Sequence, residues 1–271
     1  MSAPGSSTYL SGPRPQVIAH RGFGPGRPGN TLEAFERALA AGADLLETDV
    51  RTSVDGVAVL VHDAEVEDAE GVLHTIGRTR WEELAEVALV GGERLVSLAE
   101  ALRRFPDARF NIYVKARAAV EPTAAAVQEA AAQHRVLITS FSEARRAAAV
   151  RLLPGVATSA SAPRFLAALV GAHLRTSALI RLALRGIDAL QVPEQTLGLV
   201  VTEPVILNRL RRTGCEIHIW TIDDPARMSL LLRRGVDGLV TDRTDLAREA
   251  VDAFLLEARA AGARERNTPT T

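Results

Sequence analysis

The chain has 271 residues, 32 basic against 33 acidic for a net charge of −1, and is 47% apolar. That balance leaves no excess charge for bulk nucleic-acid binding, and the apolar share can fill a full core, in two ordinary domains or one large barrel. No stretch reaches the ~18 uncharged apolar residues of a membrane span, since Arg175 and Arg181 interrupt Phe165 to Leu184; the lone Cys215 excludes an intrachain disulfide, and the expected compartment is the cytoplasm.

Taken in chain order, Met1 to Pro15 is rich in Ser, Gly and Pro, lacks the basic start and apolar stretch of a signal peptide, and reads as a disordered lead-in. Apolar, β-branched runs then predict strands at Val17 to His20, Leu45 to Val50, Phe110 to Lys115, Arg135 to Ser140, Val156 to Ala160, Ile187 to Val192, Ile217 to Thr221 and Gly238 to Thr241. Helical patterns alternate with them: Thr31 to Ala41, Leu95 to Arg104, Glu121 to Ala132, Ser142 to Leu152, Arg164 to Leu184, Glu203 to Arg212, Pro225 to Arg234 and Leu246 to Ala261. Strict alternation over eight repeats predicts an α/β fold, a single (β/α)8 TIM barrel, with an open doubly wound sheet as the structural alternative. One strand-like run, Val57 to Val61, follows the second strand too closely for a parallel crossover. It must return as a hairpin insertion, turned at Asp55-Gly56, which brings His62 back to the rim. Gly42, Gly186, Gly214 and Gly235 each follow a helix and precede a strand, as helix C-terminal caps do. The domain is expected over 16–263, with 264–271 a polar tail.

Barrel chemistry sits where strands end, and the polar residues there are grouped. The first strand ends in His20-Arg21-Gly22, the second carries Glu47 and Asp49, the hairpin returns His62-Asp63, the third ends at Lys115 and the seventh in Trp220-Thr221. Glu47 and Asp49, two apart on one strand, share a face and can reach one cation between them. Oxygen ligands suit Ca²⁺ or Mg²⁺; the plainer alternative pairs both acids with Arg21 or Arg51. Two histidines near neutral pKa can serve as general acid and base, while Arg21 and Lys115 can neutralise phosphate oxygens. Lys115 is the only lysine in the chain, so a compact ammonium is singled out where every other basic residue is arginine. Trp220 is expected to line the pocket, and His74, His134, His173 and His218 receive no catalytic role.

These residues fall within a longer set: His20-Arg21-Gly22, Pro28-Gly29-Asn30-Thr31, Ala34-Phe35, Gly42-Ala43-Asp44, Glu47-Thr48-Asp49-Val50, Asp55-Gly56, His62-Asp63, Trp220-Thr221-Ile222, and Gly235 through Asp242. The set resembles the glycerophosphodiester phosphodiesterase family over nearly the whole chain after the lead-in. The resemblance implies a metal-dependent barrel enzyme that cleaves a small-molecule glycerophosphodiester to glycerol 3-phosphate and an alcohol. It also implies His20 and His62 as the acid-base pair and Glu47 and Asp49 as ligands. Three positions depart from the family pattern. Gly29 stands where the family has an acid, Ala64 to Glu70 is unusually acidic, and Tyr113 replaces the carboxylate that precedes the strand-three lysine by two and completes the family's metal site. The last departure keeps a second reading open, a relative that binds a phosphodiester or phosphate without turnover.

Overall fold

The computed structural model describes residues 8–266. Eight parallel strands stand in the spatial order five, four, three, two, one, eight, seven, six. In chain order they are Gln16–Ala19, Leu45–Thr52, Phe110–Val114, Val136–Thr139, Ala157–Thr158, Ala189–Val192, Glu216–Ile219 and Gly238–Thr241. The edges of this list meet: Ser159 bridges Ala189 in parallel, and the Ala160 N–H donates to the Ala189 carbonyl at 3.0 Å. The sheet is therefore a nearly closed barrel, as the alternation predicted. Ala58–Leu60 runs antiparallel to the second strand, with Val50 opposite Leu60, and Gly56 takes φ 85° at the turn, a conformation that favours glycine. A further hairpin, Glu65–Glu67 with Leu73–Thr75, begins in the acidic stretch after His62 and ends beyond it.

Ile18, Leu45, Leu137, Ala157, Ala189 and Val240 come from six strands and pack together inside the barrel. Tyr9 joins them, fully buried, from a short 3-10 turn at Thr8–Leu10. The lead-in expected to be disordered is thus ordered from Thr8 onward, pinned by the Arg109 guanidinium, which donates to the Tyr9 carbonyl at 2.9 Å. Residues 1–7 of it lie outside the described residues. Tyr9 closes the floor of the barrel, opposite the mouth where the strands end.

A second correction concerns Arg164 to Leu184, which is two helices, Ala162–His173 and Ser177–Ala183. The chain reverses at Arg175, φ 59°, and the Thr176 N–H closes the turn on the Gly171 carbonyl at 2.8 Å. Gly171 permits the fold-back, since a Cβ there would lie 3.0 Å from Ile180 Cγ1. The last helix, Thr244–Arg266, runs into the expected polar tail; the remainder of that tail is outside the described residues. Among the described residues, no helix is long and apolar enough to cross a membrane.

Candidate active site

Barrel closure places the ends of strands one, two, three, seven and eight around one mouth. His20 follows the first strand and donates its N–H to the Thr241 carbonyl at 2.9 Å, which sets it beside Asp242; its Nδ1 lies 2.8 Å from Asp242 Oδ1. Arg21 adopts φ 56° and turns its N–H onto Glu47 Oε2 at 3.0 Å. Gly22 follows at φ 89°, where a Cβ would meet the Ala34 backbone and side chain at 2.7 Å, so the helix can pack under this turn only if the residue is glycine.

The second strand supplies the acids. Register sets Glu47 beside Asn111 and Asp49 beside Tyr113. Asp49, almost fully buried, is held between two cations: Lys115 Nζ lies 3.1 Å from Oδ1, and Arg21 Nε lies 2.9 Å from Oδ2, close enough for an ion pair though not aligned as a hydrogen bond. Asn30 Oδ1 accepts from the Thr48 hydroxyl (2.7 Å) and the Asp49 N–H (3.3 Å), fixing this strand end from the loop. Gly29 also has a local reason, because a Cβ there would begin 2.8 Å from Arg21 Cβ. A buried acid arrives nearby from elsewhere in the sequence: Glu93 accepts from the Thr31 hydroxyl at 2.5 Å and from Arg37 at 3.0 Å.

The hairpin returns His62 to the rim. The Val61 N–H bonds the Asp49 carbonyl at 3.0 Å, Arg51 Nε donates to the His62 carbonyl at 2.8 Å, and His62 Nδ1 lies 2.8 Å from Asp63 Oδ1. Of the two partners offered for the strand-two acids, Arg21 pairs with Asp49 and Arg51 holds the hairpin. On the far side an aromatic wall forms. The Tyr113 hydroxyl accepts from the Phe141 N–H at 3.1 Å, the two rings meet edge to face at 5.2 Å, and Phe141 stacks on Trp220 at 6.0 Å.

The result is a cavity of about 260 Å³ lined by the residues given a chemical role from the sequence, His20, Arg21, Glu47, Asp49, His62, Lys115 and Trp220, and by Tyr113. Asn111, Thr139, Phe141 and Gln191 also line it and went unnoticed. Asn111 is the most telling, because its Oδ1 is buried and without a partner among the described residues. Its signal was present, an Asn on the same strand face as Tyr113 and Lys115. The other histidines stay outside the cavity. His74 bonds Asp68 at 2.7 Å, and His218 is buried against Glu216 at 3.1 Å.

Environment separates the ionisable groups. Burial together with the neighbouring Asp49 charge pushes Glu47 up to about 7. For His20, burial opposes the charged form, but the Asp242 hydrogen bond and the field of Glu47 outweigh it, and the imidazole is raised above its ordinary value. Tyr113 is also raised, chiefly by burial, so its phenol is neutral near pH 7.

A resident divalent ion needs anionic oxygens, and this donor set does not fit one. Both oxygens of Asp49 face protein cations, one Glu47 oxygen accepts the Arg21 N–H, and Tyr113 offers a neutral phenol with the Arg145 guanidinium beside it. Among the described residues, no three His, Cys, Asp or Glu side chains are arranged so that they could hold one ion.

A (β/α)8 barrel whose mouth gathers two histidines, two carboxylates and two cations around one small cavity defines an enzyme that acts on phosphate esters. Comparison with known proteins narrows the class. Residues 20–246 match the model of the glycerophosphoryl diester phosphodiesterase family, and the chain belongs to that family. It is 39% identical to a Mycobacterium tuberculosis protein named "Probable glycerophosphodiester phosphodiesterase 2", over 88% of this chain and 90% of that one. Among solved structures, a glycerophosphodiester phosphodiesterase from Thermotoga maritima is 27% identical, with a TM-score of 0.69 over 88% of this chain and 99% of that one. An Oleispira antarctica phosphodiesterase in complex with the product sn-glycerol-3-phosphate is 25% identical, also with a TM-score of 0.69, over 88% of this chain and 97% of that one.

Proposed function

We propose that the protein hydrolyses glycerophosphodiesters to glycerol 3-phosphate and an alcohol, with His20 as general acid and His62 as general base. The observation that carries this reading is the convergence of both histidines with Arg21 and Lys115 on one cavity. Arg21 and Lys115 meet the non-bridging phosphate oxygens, the first as a planar fork and the second as a point charge. Asp49, ion-paired with both, sets the spacing between them. His62, braced by Asp63, takes the proton from the attacking hydroxyl, which belongs to water or to the substrate's own glycerol; in the second case the first product is a cyclic glycerol phosphate, which water then opens to glycerol 3-phosphate. As the new P–O bond forms, the P–O bond to the alcohol breaks, and His20 gives its proton to the leaving oxygen. The raised pKa of His20 favours the acid assignment, since it is the imidazolium that can donate. Trp220 and Phe141 give the organic part of the substrate an apolar wall.

No step in this scheme passes through a divalent ion; protein cations carry the phosphate charge. The second reading, binding without turnover, rests on Tyr113 in place of a carboxylate. Incubation with glycerophosphocholine, in chelator and then with Ca²⁺ or Mg²⁺, separates the two when glycerol 3-phosphate is followed by chromatography. Release in chelator supports the scheme. Release only with added metal removes its metal-free part, and no release under any condition, with glycerol 3-phosphate still bound, supports the binding reading.

A further inference from the structure

Net charge near zero conceals a local asymmetry. From 144 to 187 the chain contains no Asp or Glu but seven Arg, and from 204 to 215 it again has no acid and three Arg. These segments form the helices Ala162–His173, Ser177–Ala183 and Pro204–Arg211. The first and last of these run back from the mouth, so their C-terminal ends lie at the floor side of the barrel.

There Arg175, Arg181, Arg209 and Arg212 surround a cavity of about 390 Å³, with the Ser177 and Thr213 side chains also lining it. Among the described residues none of the four is in an ion pair, in a protein whose arginines elsewhere commonly meet a carboxylate, as Arg14, Arg37, Arg103, Arg146 and Arg227 do. Arg209 is oriented by donating to the Ala172 carbonyl at 2.6 Å. Four unneutralised guanidiniums around one concavity repel one another, and an anion with several oxygens relieves that repulsion. Leucines flank the arginines in sequence: Leu174 is 68% and Leu182 69% exposed. Large apolar side chains left in water beside a basic cleft match a surface that is anionic at its headgroups and apolar just beneath.

We propose that this face docks on an anionic phospholipid surface, with a headgroup phosphate in the four-arginine cavity and Leu174 and Leu182 at the headgroup-acyl boundary. The active-site mouth, at the opposite end of the barrel, then stays open to soluble phosphodiesters. None of these residues lines the mouth cavity, so docking and turnover are separable.

Co-sedimentation of the full chain with phosphatidylglycerol vesicles tests this against phosphatidylcholine vesicles and against inorganic phosphate alone, followed by calorimetry. The expected result is binding to the anionic vesicles only, weakened roughly tenfold or more as salt is raised to shrink the Debye length. The double variant Arg175→Glu/Arg181→Glu is expected to lose it, and Leu174→Ser/Leu182→Ser to weaken it by roughly threefold or more at unchanged salt sensitivity. All of these variants should keep the parent's thermal transition and its turnover of soluble substrate. Binding of inorganic phosphate without vesicle binding would overturn the lipid assignment, and so would equal binding to neutral vesicles or anionic binding that survives the double Glu variant.

Discussion

The two histidines of the mouth are chemically identical and differently housed. His20 lies at the end of a barrel strand, bonded to Asp242 at the end of the neighbouring strand and within the field of the buried Glu47. His62 sits on a hairpin added to the rim, bonded to its own neighbour Asp63, whose side chain is 77% exposed. A carboxylate fixed by the barrel keeps a proton on its imidazole. The carboxylate on the added hairpin holds its ring from the adjacent residue. In the proposed mechanism one residue type takes two roles from its surroundings.

Removing either ring is the largest expected effect. His20→Ala and His62→Ala should each lower turnover by roughly 10² or more, measured as glycerol 3-phosphate release, with circular dichroism unchanged. A smaller loss is expected from Lys115→Arg, which should weaken glycerol 3-phosphate binding by roughly tenfold in calorimetry, because the forked cation does not fit the space between Asp49 and the Tyr113 ring occupied by the ammonium. Binding equal to the parent would remove Lys115 from phosphate recognition.

The two carboxylates separate the two histidines further. Asp242→Asn removes the main group raising His20, so the limb of the pH-rate profile reporting the acid should move to lower pH, with turnover at pH 7 down by several-fold. Asp63→Asn should leave that limb in place. A profile that shifts equally in both variants would erase the distinction.

Glu47 tests the same field through stability. Its pKa is raised in the fold, so it stabilises the protein fully below its unfolded value near 4.5, and this contribution is lost as pH rises through about 7. Glu47→Gln should therefore raise Tm at pH 8 relative to the parent, by roughly 2–4 °C for each kcal/mol relieved, with no gain at pH 4. The smallest expected effect concerns Tyr113→Asp, which should add measurable Mg²⁺ or Ca²⁺ affinity in calorimetry while Tyr113→Phe adds none. Tight metal binding by the parent would refute the claim that this donor set does not hold an ion.

Much of this was legible before the structure, and the reason differs by residue. Strand ends announce themselves because a polar pair such as His20-Arg21 interrupts an apolar run, and the Asp55-Gly56 turn fixed the return of His62. What escaped depends on contacts remote in sequence. Asp242 meets His20 across 222 positions, joined only when strand eight closes on strand one. Glu93 reaches Thr31 from a loop with no periodic pattern. Tyr9 belongs to a 3-10 turn of three residues, too short to show a period, and it is held by Arg109 from another element. The break at Leu174 to Thr176 was hidden because no Gly or Pro marks it; the permissive glycine, Gly171, sits a turn earlier and acts through packing.

Asp242 and Glu47 together hold a proton on His20, and histidine NMR measures it directly. In the parent, the His20 ring should titrate above 6.5, and in Asp242→Asn its midpoint should fall together with the acid limb of the rate profile. A parent His20 that titrates at or below 6.5, or a midpoint indifferent to Asp242, would contradict the assignment of His20 as the acid.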